Sequence, residues 1–217
     1  MDRRGVDVAL IYKASVFKPF ASRPYSVKSL KNIEWNTRDL LLVSGKINAD
    51  TIHIIINHWT SRRGGEKESE AKRIILARLG RKIVDSLQFC SAKAKIIFMG
   101  DFNDEPHNIS ISKYLNTTDQ LPLKKGQIYN SFISLEKAGK GSVKFQKTWD
   151  MFDQIMISGG LLEQASLHYK DYSKKILDAD WLHYKNIKTN GPFRTYQGSK
   201  YLGDYSDHLP VYIELTY

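Results

Sequence analysis

Ile54-Ile55-Ile56-Asn57-His58-Trp59, Ile96-Ile97-Phe98-Met99-Gly100-Asp101-Phe102-Asn103-Asp104 and Ser206-Asp207-His208-Leu209-Pro210 decide how this chain folds. Each abuts an apolar run with the form of a buried β-strand, so each places polar groups at a strand end. Open α/β sheets carry their chemistry at the C-terminal edges of strands. His, Asp and Asn side chains of all three stretches are therefore expected to converge along one edge of a sheet.

Outward from these runs, Leu40 to Val43 and Thr51 to Asn57 read as strands. The turn through Asn48-Ala49-Asp50 makes them an antiparallel hairpin. From Glu66 to Gln88, apolar residues recur at Ile75, Leu76, Leu79, Ile83 and Leu87, a helical spacing, and Glu66, Glu68 and Glu70 suit the positive end of the helix dipole. Gly80 inside that helix costs roughly 1 kcal/mol relative to Ala. Lys95 to Met99 is the next strand, and strand, helix, strand in succession argues for a layered α/β fold. Val6 to Tyr12 reads as a strand covered on both faces, Lys13 to Asn36 as a loop, and Ile109 to Leu115 as a brief helix. Val143 to Phe145, Phe152 to Ile157 and Val211 to Leu215 read as further strands. Leu161 to Gly203 shows no period, and with no repeat or linker a single domain over residues 1–217 is expected.

The chain has 217 residues, 41% of them hydrophobic and 12% aromatic, a globular composition that excludes disorder as the main state. A formal charge of +10 favours polyanionic partners through its long-range field. Ten Lys or Arg against four Asp or Glu fall between Arg62 and Lys95; a solvated helix face and a phosphate track both fit that excess. Cys90 is the single cysteine, which excludes an intramolecular disulfide and reads as a buried, inert thiol at a helix end. No run approaches the roughly 20 apolar residues of a membrane-spanning helix. Met1 to Gly5 has no apolar segment behind its charges, so no secretory signal is read there. Compartment and oligomeric state are left open.

Asp101 and Asn103 stand one residue apart beyond a strand. In extended backbone their side chains point the same way, a carboxylate and a carboxamide suited to holding a water or a metal. An Asx turn is the competing reading. Asn57 and His58 emerge from the core at the same edge, whereas His53 lies within its strand and reads as packing or cross-strand hydrogen bonding. Asp207 and His208 are neighbours and so must serve different partners. Asp153 opens a strand and either caps it or orients an imidazole. Arg38 can fork onto a phosphate oxygen or simply be solvated. The set matches phosphodiester hydrolysis, which uses carboxylate for a hard cation, imidazole for protons and amide for orienting water.

Asn-His-Trp-x-Ser-Arg, Gly-Asp-Phe-Asn-Asp-Glu-Pro, Asp-Gln-Ile and Ser-Asp-His-Leu-Pro-Val, in this order and spacing, resemble the endonuclease/exonuclease/phosphatase superfamily, the DNase I-like group. The opening Asp2 to Leu10 resembles a bacterial branch of it. The resemblance implies a DNase I-like four-layer α/β sandwich, two stacked and mostly antiparallel β-sheets flanked by helices. It implies catalytic His58, Asp101, Asn103, Asp153 and His208, with Asp153 orienting His208. Arg38 and Asn57 would contact substrate, and Asp207 and Asp101 would lie at a magnesium or manganese ion. Members of that superfamily begin with strands that supply an early Asn and a metal-binding Glu. No comfortable substitute stands before Arg38, where the acids are Asp2, Asp7 and Glu34. The chain is thus expected to be N-terminally incomplete and weak in metal affinity.

The leading expectation is a metal-dependent hydrolase of a phosphate-containing substrate, with DNA the first candidate because of the charge. A phosphatase or phosphodiesterase of small or lipid-linked phosphates is the second, with Phe193 to Tyr205 as the selecting loop, since one core serves many substrates through its loops. A polyanion-binding module with an impaired site, showing steep salt dependence and no turnover, is the third.

Overall fold

The computed structural model describes residues 5–27, 37–145, 147–183, 191–192 and 194–217. Strands β1 (Phe17–Tyr25), β2 (Leu40–Ile47), β3 (Asp50–His58) and β4 (Lys95–Asp101) begin a seven-stranded mixed sheet. It is continued by β5 (Thr117–Thr118) and β6 (Ile128–Tyr129), while β7 (Val143–Phe145) and β8 (Thr148–Asp150) form a separate hairpin before β9 (Asp153–Ile157). The order across the sheet is β1-β2-β3-β4-β9-β6-β5. β2 and β3 form the expected antiparallel hairpin, with Asn48 in the left-handed region at φ +50°.

β3 and β4 run parallel, joined by helix α1 (Glu66–Cys90). A crossover of this kind lays the helix on one face of the sheet. α1 buries Ser69, Arg73, Leu76, Ala77, Gly80, Ile83 and Val84, an i, i+3, i+4 stripe, and carries Glu66 and Glu68 in its first turn. Its stripe packs with Ile55, Ile96, Phe98 and Met156 of the sheet into one core cluster. Gly80 is part of that fit: a Cβ there would lie 2.5 Å from the Phe98 ring. The helix thus trades the propensity lost at glycine for closer packing on β4. Its last turn overruns the sheet, leaving Phe89 and Cys90 exposed, so the thiol expected to be buried is at the surface.

Alternate residues of the same strands, Ile52, Ile97, Ile155 and Ile157, face the other way into a second cluster with Phe132, Leu167 and Tyr169. That face is covered by short pairs: β10 (His168–Tyr169) with the final β15 (Leu215–Thr216), and β11 (Lys175–Ile176) with β14 (Val211–Tyr212). Between them in the chain lies the small hairpin of β12 (Tyr196–Gln197) and β13 (Lys200–Tyr201). The arrangement is a mixed α/β one, a helix and a layer of short β-pairs on opposite faces of a large sheet. Val211 to Leu215 is split into two pairings rather than forming one strand.

Two N-terminal readings are corrected. Val6 to Tyr12 forms no strand; Val8 and Leu10 pack against Phe17, Val43 and Ile56, while Val6, Ile11 and Tyr12 are exposed. Residues 17–25, read as loop, are edge strand β1, antiparallel to β2, with a register shift between Pro19 and Ala21. Proline is tolerated on an edge strand, where one row of backbone groups faces solvent. Among the described residues no helix is long and apolar enough to cross a membrane.

Candidate active site

Strand register builds the site. His58 stands opposite Asp101 in the parallel β3-β4 ladder, and Asp101 stands opposite Asp153 in the antiparallel β4-β9 ladder. An imidazole and two carboxylates therefore form one row across three hydrogen-bonded strands. The His58 Nε2 lies 3.3 Å from Asp101 Oδ2. Gly100 makes the close approach possible: at φ +140°, a Cβ there would sit 2.0 Å from the carbonyl oxygen of Asn57. Only glycine fits between the ends of β3 and β4.

The chain turns sharply after Asp101. Asn103 is buried at φ +49°, and its backbone N–H donates to Asp101 Oδ1 at 2.8 Å. The extended geometry expected for this pair is thus replaced by the Asx-type turn, which lays a donor on the carboxylate. The Asn103 Nδ2 donates to the Trp59 carbonyl at 3.1 Å, tying the turn to the end of β3. Asn57 is buried too, its Nδ2 donating to the Met99 carbonyl at 2.8 Å, while its Oδ1 has no hydrogen-bond partner among the described residues.

His208 arrives from the C-terminal segment, which bridges to Val143 of the β7-β8 hairpin. Its Nδ1 lies 2.6 Å from Asp153 Oδ2, and the same oxygen accepts a 2.6 Å hydrogen bond from Ser142 Oγ. Ser142 Oγ also accepts from the Asp153 N–H at 3.0 Å, so the serine fixes the carboxylate that fixes the imidazole. Ligand-type atoms of Asp101, Asp153 and His208 all lie within 4.8 Å of one another. Asp207 is exposed and outside this group, although its charge acts on His208. Arg38 acts on Asp101 through its charge, and its Nε is buried with no hydrogen-bond partner among the described residues. Asp7 bonds its neighbour Val8 at the surface, and Asp2 and Glu34 lie outside the described residues.

Electrostatics separate the two acids' tasks. Burial raises the Asp101 carboxyl to about 6, helped by the Asp153 charge and opposed by His208, the Asn103 N–H and Arg38. On His208, burial disfavours the charged ring, but the hydrogen bond and charge of Asp153, with Asp101 and Asp207 adding, raise it to about 9. At neutral pH the ring is an imidazolium beside a carboxylate poised close to neutrality.

Sequence reasoning missed the scaffold of this site. Arg73 is fully buried, its Nε 2.7 Å from Asp104 Oδ1, and Ser110 Oγ donates to Asp104 Oδ2 at 2.5 Å. Arg62 donates to the Asn103 carbonyl at 2.9 Å and to Asn108 Oδ1 at 2.7 Å, lies 3.2 Å from Asp104 Oδ1, and stacks 4.6 Å over the Phe152 ring. Two arginines, one at the entry to α1 and one inside it, thus clamp the turn that carries Asp101 and Asn103. The signal was present as an Arg on the apolar stripe of α1, a position where a charge needs a buried partner. A second trio, Glu105, His107 and Glu136, also brings ligand-type atoms within 4.8 Å, but His107 and Glu136 satisfy each other at 2.5 Å.

The family model described as Endonuclease/Exonuclease/phosphatase family matches residues 1–217. The chain belongs to that family. Solved structures agree in fold. A humanized D. rerio TDP2 superposes with a TM-score of 0.58 at 16% identity over 94% of this chain and 69% of its own. The Bacteroides thetaiotaomicron mannosyl-6-phosphatase gives 0.55 at 19% identity over 95% and 69%. D. rerio TDP2 complexed with single strand DNA product gives 0.56 at 14% over 94% and 70%. At such identities the likeness is one of fold. No curated protein sequence is significantly similar to the chain. This family member has the mixed α/β architecture of its neighbours.

Proposed function

We propose that this protein hydrolyses phosphodiester bonds of nucleic acid by attack of an activated water. The observation that carries the reading is the row of His58, Asp101 and Asp153 on adjacent strands, closed by His208 on Asp153. Asp101, raised toward neutrality, accepts the proton of the attacking water while the water oxygen bonds to phosphorus. His208, charged and oriented by Asp153, donates to the phosphate and passes a proton to the departing oxygen as the P–O bond breaks. Arg38 offers its buried Nε, which has no hydrogen-bond partner among the described residues, to a phosphoryl oxygen. His58 and the Asn103 N–H hold the Asp101 carboxylate in line.

The donor set fits a divalent cation such as magnesium or manganese. Asp101 and Asp153 crowd two carboxylates together, and Asp207 stands at the rim. When bound, the cation would draw charge from the phosphoryl oxygens. Nucleic acid is favoured as substrate by the +10 charge, and a family neighbour is described with a single strand DNA product.

The test is cleavage of single- and double-stranded DNA by the full chain with added magnesium or manganese, alongside His208→Ala. Removal of the imidazole is expected to reduce turnover by on the order of 10²–10⁴. Absence of cleavage of any nucleic acid, with hydrolysis of a phosphate monoester instead, overturns the substrate assignment. Full activity in His208→Ala overturns the mechanism.

A further inference from the structure

A cleft of about 330 Å³ opens between the β7-β8 hairpin and β11, outside the row of acids and imidazoles. Lys140, Lys174, Lys175, Trp149 and Leu209 line it, and among the described residues Asp178 is the single carboxylate of its walls. Asp178 is already engaged by His183 Nε2. Among the described residues, Lys140 and Lys175 have no carboxylate within ion-pair distance, and the Lys174 ammonium lies 5.4 Å from the Tyr172 ring. Glu214, whose carboxylate feels the Lys175 charge, is paired with Lys170 at 2.7 Å. The cleft is therefore concave, positively charged and walled on one side by an indole.

Both of its walls are tied to the segment that carries His208. The Leu209 N–H donates to the Ser142 carbonyl at 2.7 Å, the Leu177 N–H donates to the Pro210 carbonyl at 2.7 Å, and Lys175 pairs with Tyr212. Successive side chains of an extended segment point to opposite sides. His208 faces Asp153, and Leu209, its neighbour, faces the cleft. One extended segment of chain separates the two places.

We propose that this cleft is a second phosphate-binding subsite, which takes an anionic phosphate group while the planar or apolar part of the ligand rests on Trp149. Ammonium groups act as point charges that several phosphate oxygens can share, and aromatic faces hold bases or sugars without demanding one sequence. The phosphate is supplied either by the substrate beyond its scissile bond or by a free phosphorylated molecule. Its assignment to the substrate rests on the hydrolase reading above, and its binding does not.

Inorganic pyrophosphate is the first probe, titrated into the full chain while tryptophan fluorescence is followed. A saturable change is expected in the wild type and in His208→Ala, silenced in Trp149→Phe. It is weakened roughly tenfold or more in Lys140→Ser/Lys175→Ser, as expected for the loss of two charged contacts. Both lysines are exposed, so thermal midpoints near the wild type show that the variant is folded. No saturable change, or unaltered affinity in the lysine variant, overturns the subsite. The sources are then separated by kinetics on an oligonucleotide and on bis(p-nitrophenyl) phosphate. A KM raised about tenfold for the oligonucleotide alone places a phosphate of the substrate in the cleft, whereas unchanged KM values with pyrophosphate binding retained identify a free ligand. Absence of turnover in the wild type would sink the hydrolase reading while leaving the pyrophosphate result standing.

Discussion

Replacing Asp153 by Asn removes the charge that holds His208 protonated while keeping the shape of the side chain. In the intact protein the ring is raised from 6.5 to about 9, and Asp153 dominates the raising influences through its 2.6 Å contact and its charge. A shift of this size corresponds to about 3 kcal/mol of preference for the charged ring. His208 is 24% exposed, so solvent screening is only partial. In Asp153→Asn, burial is opposed only by Asp101 and Asp207, and the ring is expected to titrate at or below its ordinary value. The assay is proton NMR of the His208 Cε1–H in metal-free protein across pH 5 to 10. A folded pKa above the unfolded one contributes stability that is fully present below about 6.5 and lost as pH rises through about 9. The gap in urea midpoint between wild type and Asp153→Asn should thus be widest near pH 6 and close above pH 9. A wild-type ring titrating near 6.5, or a gap independent of pH, refutes the account.

Asp101→Asn is expected to stabilise the metal-free protein at pH 7 and above by up to about 3 kcal/mol and to change little near pH 4. The folded carboxyl titrates at about 6 against 3.8 unfolded, so its contribution is lost as pH rises through 6; denaturation at both pH values checks this, and the variant should lose turnover. Arg73→Ala leaves the buried Asp104 with only Arg62 and Ser110 as partners, and a loss of about 1.5–3 kcal/mol in urea is expected. A loss below 1 kcal/mol would show that the clamp on the turn is dispensable. Gly80→Ala should cost about 1–3 kcal/mol despite alanine's higher helix propensity, because its Cβ meets the Phe98 ring at 2.5 Å. A raised thermal midpoint would contradict that packing.

Legibility followed the length of each element. β2, β3, α1, β4 and β9 announce themselves because each buries a long apolar run on a defined face, and the motifs at their ends could be placed before any coordinates. β1 was missed because Pro19 and Pro24 break the alternation on which strand reading depends, while backbone pairing to β2 needs no such pattern. The pairs that cover the second face are two residues long, too short for any period to show. Within the site, Asp101, Asp153, His58 and His208 meet as a row because the ladder registers coincide. Register depends on pairing partners far apart in the chain, and the resemblance, rather than local pattern, named those four together. Ser142 and the two arginines escaped notice because their roles are relational: a serine beside glycine and an arginine in a helix mean little until their partners are known.

The row across β3, β4 and β9 also has a bearing on how this scaffold can diversify. Its side chains are fixed by main-chain ladders, whereas β10 and β11 of the outer layer are paired to β15 and β14 over two residues each. Alterations of length or sequence in that outer layer can therefore reshape the surroundings of the row without moving its side chains. The geometry of the row and the shape of what surrounds it are carried on separable parts of the molecule.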